Sequence, residues 1–103
     1  MSLQSGSTPE LRERERTRVK EPGMYAVVFI NDDFTTMEFV VRVLELVFHK
    51  SPAEAQELMM SVHRHGSAAV GRYTHDIAVT KRDKTVKMAR EEGFPLRVVV
   101  RED

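Results

Sequence analysis

Residues 24–38 read Met-Tyr-Ala-Val-Val-Phe-Ile-Asn-Asp-Asp-Phe-Thr-Thr-Met-Glu, and their reading decides the fold. The stretch Met24 to Ile30 is a short β-branched and aromatic run closed by Asn31-Asp32-Asp33, the pattern of a buried strand running into a loop. Thr35 with Glu38 then supplies a capping box, in which a hydroxyl and a carboxylate satisfy free N–H groups at a helix start. A first helix is expected from here to about His49. Its polar residues Glu38, Arg42, Glu45 and His49 form one narrow wet stripe, while Met37, Phe39, Val40, Val41, Val43, Leu44, Leu46, Val47 and Phe48 occupy the rest. Most of its circumference is therefore expected to be covered.

Downstream, Ser51-Pro52-Ala53-Glu54 repeats the capping box with proline at the first helical position, where a missing N–H costs nothing. The second helix runs to about His65, with Ala55, Leu58, Met59 and Val62 as its core stripe and Gly66 suited to a left-handed cap. His63 falls one turn beyond Met59, on the flank of that stripe. Ser67 to Tyr73 reads as a second strand, Thr74 to about Glu92 as a third helix stopped by Gly93 and Pro95, and Leu96 to Arg101 as a last strand. On the third helix Ala78, Thr85, Met88 and Ala89 form the expected buried face, with Val79 and Val86 roughly opposite and Val79 exposed. The order β-α-α-β-α-β predicts a small two-layer α+β domain, three helices on a three-stranded antiparallel sheet.

Upstream, residues 1–22 hold only Leu3, Leu11 and Val19 as large aliphatics, while Arg12, Arg14, Arg16, Arg18 and Lys20 alternate with Glu13 and Glu15. Too little apolar surface exists there to offset ordering entropy, so a disordered charged tail at 1–22 ahead of a domain at 23–103 is expected. A helix through Leu11–Val19, broken by Pro22 and Gly23, is the alternative.

Composition narrows the function. With 103 residues the chain is one domain's worth. Sixteen Lys and Arg balance sixteen Asp and Glu, so no global field attracts nucleic acid. No stretch approaches the ~18 apolar residues of a membrane span, and the absence of cysteine excludes disulfides, thiolate metal sites and a cysteine nucleophile. His63 and His65 lie too far around a helix to share one ion, no metal-ligand spacing or Gly-rich phosphate loop occurs, and no nucleophile elbow is present. A cofactor-free, monomeric, non-enzymatic protein of the reducing cytoplasm is expected.

The densest polar cluster is Asn31-Asp32-Asp33 at the end of a buried element, where sites usually form. These are also the usual turn residues. What distinguishes them is the apolar surplus alongside, with Met37 and Val40 following at helical spacing. An acidic rim over an apolar hole suits a ligand with a cation next to a hydrophobic group.

Four stretches together resemble ClpS, the adaptor family of the bacterial Clp protease: Asn-Asp-Asp-Phe-Thr-Thr-Met-Glu-Phe-Val at 31–40, Met-x-x-Val-His at 59–63 followed by Gly66, Asp-x-Ala-x-Thr-Lys at 76–81, and Gly-x-Pro-Leu at 93–96. The resemblance covers nearly all of 24–103. It implies an adaptor that binds proteins beginning with a bulky hydrophobic residue (Leu, Phe, Tyr or Trp) and delivers them to ClpA or a related Clp AAA+ ATPase. It further implies that Asn31, Asp33 and His63 hold the free α-amino group, with Asp32 supporting the loop and the peptide backbone. Thr35, Met37, Val40, Met59, Val62 and Leu96 would line the side-chain pocket, and Asp76, Val79 and Lys81 would form the ATPase-docking surface. Val79 stands where the family usually has Glu, and Thr36 where it often has Pro. Two other classes stay open on residues alone: a ribosomal-stalk-like docking module without amine recognition, and an acid/base enzyme using Asp32, Asp33 and His63.

Overall fold

The computed structural model describes residues 23–103, and the expected tail at 1–22 lies outside them. The elements are β1 (Met24–Ile30), α1 (Met37–Leu46), α2 (Pro52–His65), β2 (Ser67–Thr74), α3 (His75–Glu91) and β3 (Arg97–Glu102). The first strand in sequence is the middle strand of the sheet, in the order β2-β1-β3, with both pairings antiparallel. That position explains its unbroken apolar run, because Ala26, Val27, Val28 and Phe29 are all buried. One β-bulge interrupts the β1–β2 ladder: Val27 pairs with Gly71 and Val28 with Ala69, so Val70 is the extra residue, and it is buried.

The helices close over one core. Val27 and Phe29 of β1 and Val98 of β3 join Phe39, Val43 and Leu44 of α1, Ala55 and Val62 of α2, and Ala78 and Ala89 of α3 in a single buried cluster. This is the α+β architecture read from the sequence, with boundaries moved by one to three residues.

Where the boundaries moved, a local bond explains it. Thr36, not Thr35, caps α1, its hydroxyl accepting from the Phe39 N–H at 3.1 Å. Thr35 belongs instead to the loop, its N–H and its hydroxyl both donating to the Asp32 carboxylate at 2.7 Å, which turns it away from the helix start. At the far end α1 stops at Leu46, and His49 takes a left-handed φ of 57° that turns the chain toward α2. The Ser51/Glu54 capping box forms as expected, both reciprocal bonds present, with Pro52 in the first turn.

Two expectations about burial need correction. Met37 and Leu46 of α1 are 42% and 59% exposed, so less of that helix is covered than its composition implies. On α3 the buried face is Ala78, Thr85 and Ala89, while Met88 is half-buried. Val79 is half-buried too, not exposed, because α3 packs along all three strands.

Candidate functional site

Two segments remote in sequence meet at one end of the sheet. Loop 31–36 leaves β1, and the last turn of α2 leads into β2. Because Ile30 pairs with Ser67, the loop start and the helix end must be neighbours. The Asn31 N–H fastens them, donating to the Gly66 carbonyl at 2.8 Å. Gly66 itself has φ 86° and returns its N–H to the Val62 carbonyl at 3.0 Å, a left-handed cap that turns the chain from helix into strand. That turn leaves His63, three residues back, facing the loop.

The loop is organised by Asp32. Its Oδ1 accepts from the Phe34 and Thr35 N–H groups at 2.8 and 2.7 Å, and its Oδ2 from the Thr35 hydroxyl at 2.7 Å. Burial raises the Asp32 pKa, but the Thr35 hydroxyl, the two N–H groups and the Arg90 guanidinium together outweigh it and hold the carboxyl below its ordinary range. Asp32 is thus an ionised strut.

Around this loop opens a cavity of about 250 Å³. Asn31, Asp32, Asp33 and His63 form its polar side. Its apolar side is Met37 and Val40 from α1 and Met59 and Val62 from α2, with Thr35 between. Nine of the ten residues expected for the amine and side-chain sites therefore meet in one cavity. Leu96 is the exception: it lies at the start of β3, 1% exposed and packed in the core cluster, and it is not part of the lining.

Chemically the cavity sets hydrogen-bond acceptors on one side against hydrocarbon on the other. A carboxylate, an amide carbonyl and a neutral imidazole nitrogen can each accept a hydrogen bond from an ammonium group, and none requires a metal. Among the described residues no cluster of three or more His, Cys, Asp or Glu is arranged to hold a metal ion.

The residues expected to dock an ATPase lie apart from this cavity, on α3. Asp76 is fully exposed in the first turn. Lys81 turns inward, its Nζ donating to the Val47 carbonyl at 2.6 Å and lying 5.3 and 5.8 Å from the Tyr73 and Phe48 ring centres. Sequence reasoning missed this contact, and it missed Arg90, whose guanidinium donates to the Phe94 and Leu96 carbonyls at 2.8 and 3.0 Å and so pins the turn before β3. A basic residue near the end of α3 was the available signal for the latter.

Comparison with known proteins agrees with the geometry. The family model described as "ATP-dependent Clp protease adaptor protein ClpS" matches residues 20–99. This chain belongs to the ClpS family. The ClpS adapter of Acetivibrio thermocellus is 52% identical over 81 residues, 79% of this chain and 82% of that protein. The ClpS adapter of Burkholderia cenocepacia is 48% identical over 90 residues, covering 87% and 86%. A solved structure of Agrobacterium tumefaciens ClpS2 bound to L-phenylalaninamide superposes with a TM-score of 0.77 at 40% identity, covering 81% of this chain and all of that one. Among the described residues of this ClpS family member, no helix is long and apolar enough to cross a membrane.

Proposed function

We propose that this Clp protease adaptor recognises proteins whose free N-terminal residue is Leu, Phe, Tyr or Trp, and delivers them to ClpA or a related Clp AAA+ ATPase. The observation that carries the reading is the single cavity in which Asn31, Asp33 and His63 form the polar side and Met37, Val40, Met59 and Val62 the apolar side. The ligand of the Agrobacterium relative, an aromatic amino acid amide, has the same two parts.

In this reading Asn31, Asp33 and His63 accept from the α-ammonium, Asp32 holds the loop, and the apolar walls take the side chain. Burying a Leu or Phe side chain contributes about 1.5–3 kcal/mol. An ammonium beside a carboxylate near a surface has roughly 4 kcal/mol of Coulomb attraction before desolvation. Together they come to about 5.5–7 kcal/mol before desolvation, short of the roughly 8 kcal/mol of a 1 μM complex, so the affinity is micromolar or weaker and cargo can be passed on. In this reading no bond is made or broken, and the protein acts as a cofactor-free, monomeric recognition domain in the cytoplasm. Asp76 with the neighbouring Val79 and Lys81 forms the ATPase-docking surface, residues 23–103 form the recognition domain, and the segment 1–22 takes part in delivery.

Fluorescence anisotropy with a peptide beginning in free Phe or Leu and its N-acetylated twin tests the recognition. The free peptide binds and the acetylated one does not. Equal binding of the two would leave a protein-docking module without amine recognition.

A further inference from the structure

The cavity walls differ in stiffness. Val40 and Val62 are 6% and 3% exposed members of the core cluster, and as β-branched residues they have little freedom at χ1. Nothing on that side can yield without disturbing the core. The other side is different, because Met37 and Met59 line the pocket and also line a second cavity, a groove of about 380 Å³ between α1 and α2. Val41, Arg42, Glu45 and Gln56 make up most of the rest of that groove. Two thioether side chains are therefore the partition between two adjoining spaces.

Methionine is unbranched, turns about three side-chain bonds and repacks at small cost. Met37 is 42% exposed, so little packing holds it in one place, whereas Met59, 7% exposed, belongs to the core cluster, and Met37 is the half of the partition free to move. The groove behind it has room for an aryl group, with Glu38 and Glu45 also along its walls. Val41 offers a half-buried apolar wall, and the Arg42 guanidinium is already engaged, paired with Glu92 and stacked 5.4 Å from the Phe39 ring centre. Gln56 stands exposed at the rim and stays hydrated when the groove fills.

We propose that this partition opens. An N-terminal residue with an aryl side chain longer than that of Phe, Tyr or Trp, such as 4-phenylphenylalanine, enters the pocket with its first ring, displaces Met37, and places its second ring in the α1–α2 groove. The ligand class of the site is then N-terminal aryl residues of extended length, wider than the natural aromatics. This inference rests on the N-terminal-residue reading above. A pocket walled as firmly on the methionine side as on the valine side would reject the second ring.

The experiment compares two peptides identical except for their first residue, Phe or 4-phenylphenylalanine, by fluorescence anisotropy. Both are titrated against the full chain and against Gln56→Trp, which fills the groove and replaces no residue of the pocket lining. The full chain is expected to bind the biphenyl peptide within about tenfold of the Phe peptide. Gln56→Trp is expected to weaken the biphenyl peptide by about tenfold or more while leaving the Phe peptide unchanged. Val41→Phe, which fills the groove from α1, gives the same pattern, and retained Phe binding reports intact folding for both variants. If the full chain binds Phe but rejects the biphenyl residue, the partition is rigid and the inference fails. It fails equally if both groove-filling variants leave biphenyl binding unchanged, since the second ring must then lie elsewhere. If the Phe peptide does not bind the full chain, the recognition reading itself falls and takes this inference with it.

Discussion

Lys81 of α3 closes the end of α1 through Val47, its ammonium donating to the Val47 carbonyl at 2.6 Å. The last turn of α1 contains no basic residue of its own, so the negative end of that helix receives its cation from a different element. The Lys81 ammonium also lies near the Tyr73 and Phe48 ring faces. Lys81→Met preserves the hydrocarbon stem and removes the donor, and is expected to lower stability by about 1–2 kcal/mol in urea unfolding. An unchanged midpoint would mean that water replaces the contact without loss. For ATPase docking, Asp76→Ala is the cleaner probe, because Asp76 is exposed and its loss leaves the fold alone.

Asp33→Ala should abolish most peptide binding. It leaves a partly desolvated ammonium short of an acceptor, a loss of at least ~2 kcal/mol, or roughly thirtyfold in affinity. Because Asp33 is exposed, the melting temperature should move little. Anisotropy and thermal melts on the same variant separate the two effects, and parent-like affinity would remove Asp33 from the site.

Asp32 links the recognition loop to acid. Its folded pKa lies below the reference value of 3.8, so its contribution to stability is fully present above that pH and is lost as pH falls through the lower folded value. Asp32→Asn should therefore be less stable than the parent near neutral pH, and the gap should close below about pH 4. Unfolding curves for both proteins between about pH 3 and 7 check the sign. A gap that widens in acid would show that Asp32 is not held ionised by Thr35 and Phe34.

The sequence made the elements legible because apolar spacing and helix caps are local signals. Ser51, Glu54 and Gly66 are each read from their immediate neighbours and each take the expected place. It failed where one residue had two local uses. Thr35 and Thr36 both suit an N-cap, and the choice fell to Asp32, which takes the Thr35 hydroxyl for the loop. Leu96 was placed beside the cavity by resemblance, yet its side chain fills the core. The Lys81–Val47 bond spans 34 residues, and no periodicity encodes which carbonyl a lysine will reach. Met37 was legible in part: the sequence places it in the apolar side of the cavity, where it lies, but not its 42% exposure, which depends on how much of α1 its neighbours cover.

Gly66 offers a test of the joint between loop and helix. At φ 86°, a side chain meets no atom within 4 Å, so Gly66→Ala carries backbone strain and no clash. The expected cost is about 1 kcal/mol, with Gly66→Asn milder because asparagine tolerates this region better. Calorimetry on the two variants gives the ranking. Alanine as stable as glycine would mean the turn relaxes out of the left-handed region.

The bond from Asn31 to Gly66 also bears on what a damaged copy of this protein does. The acceptors of loop 31–33 and the imidazole of His63 are brought together by the pairing of Ile30 with Ser67 and the Asn31–Gly66 bond beside it. A molecule in which β2 has come away from β1 still possesses every side chain of the cavity but no longer holds them together. On the proposed reading, capture of a chain terminus thus reports on the integrity of the whole domain. Misfolded copies fall silent instead of sequestering cargo, and bound cargo in turn favours the intact form, so an abundant supply of targets preserves its own receptor.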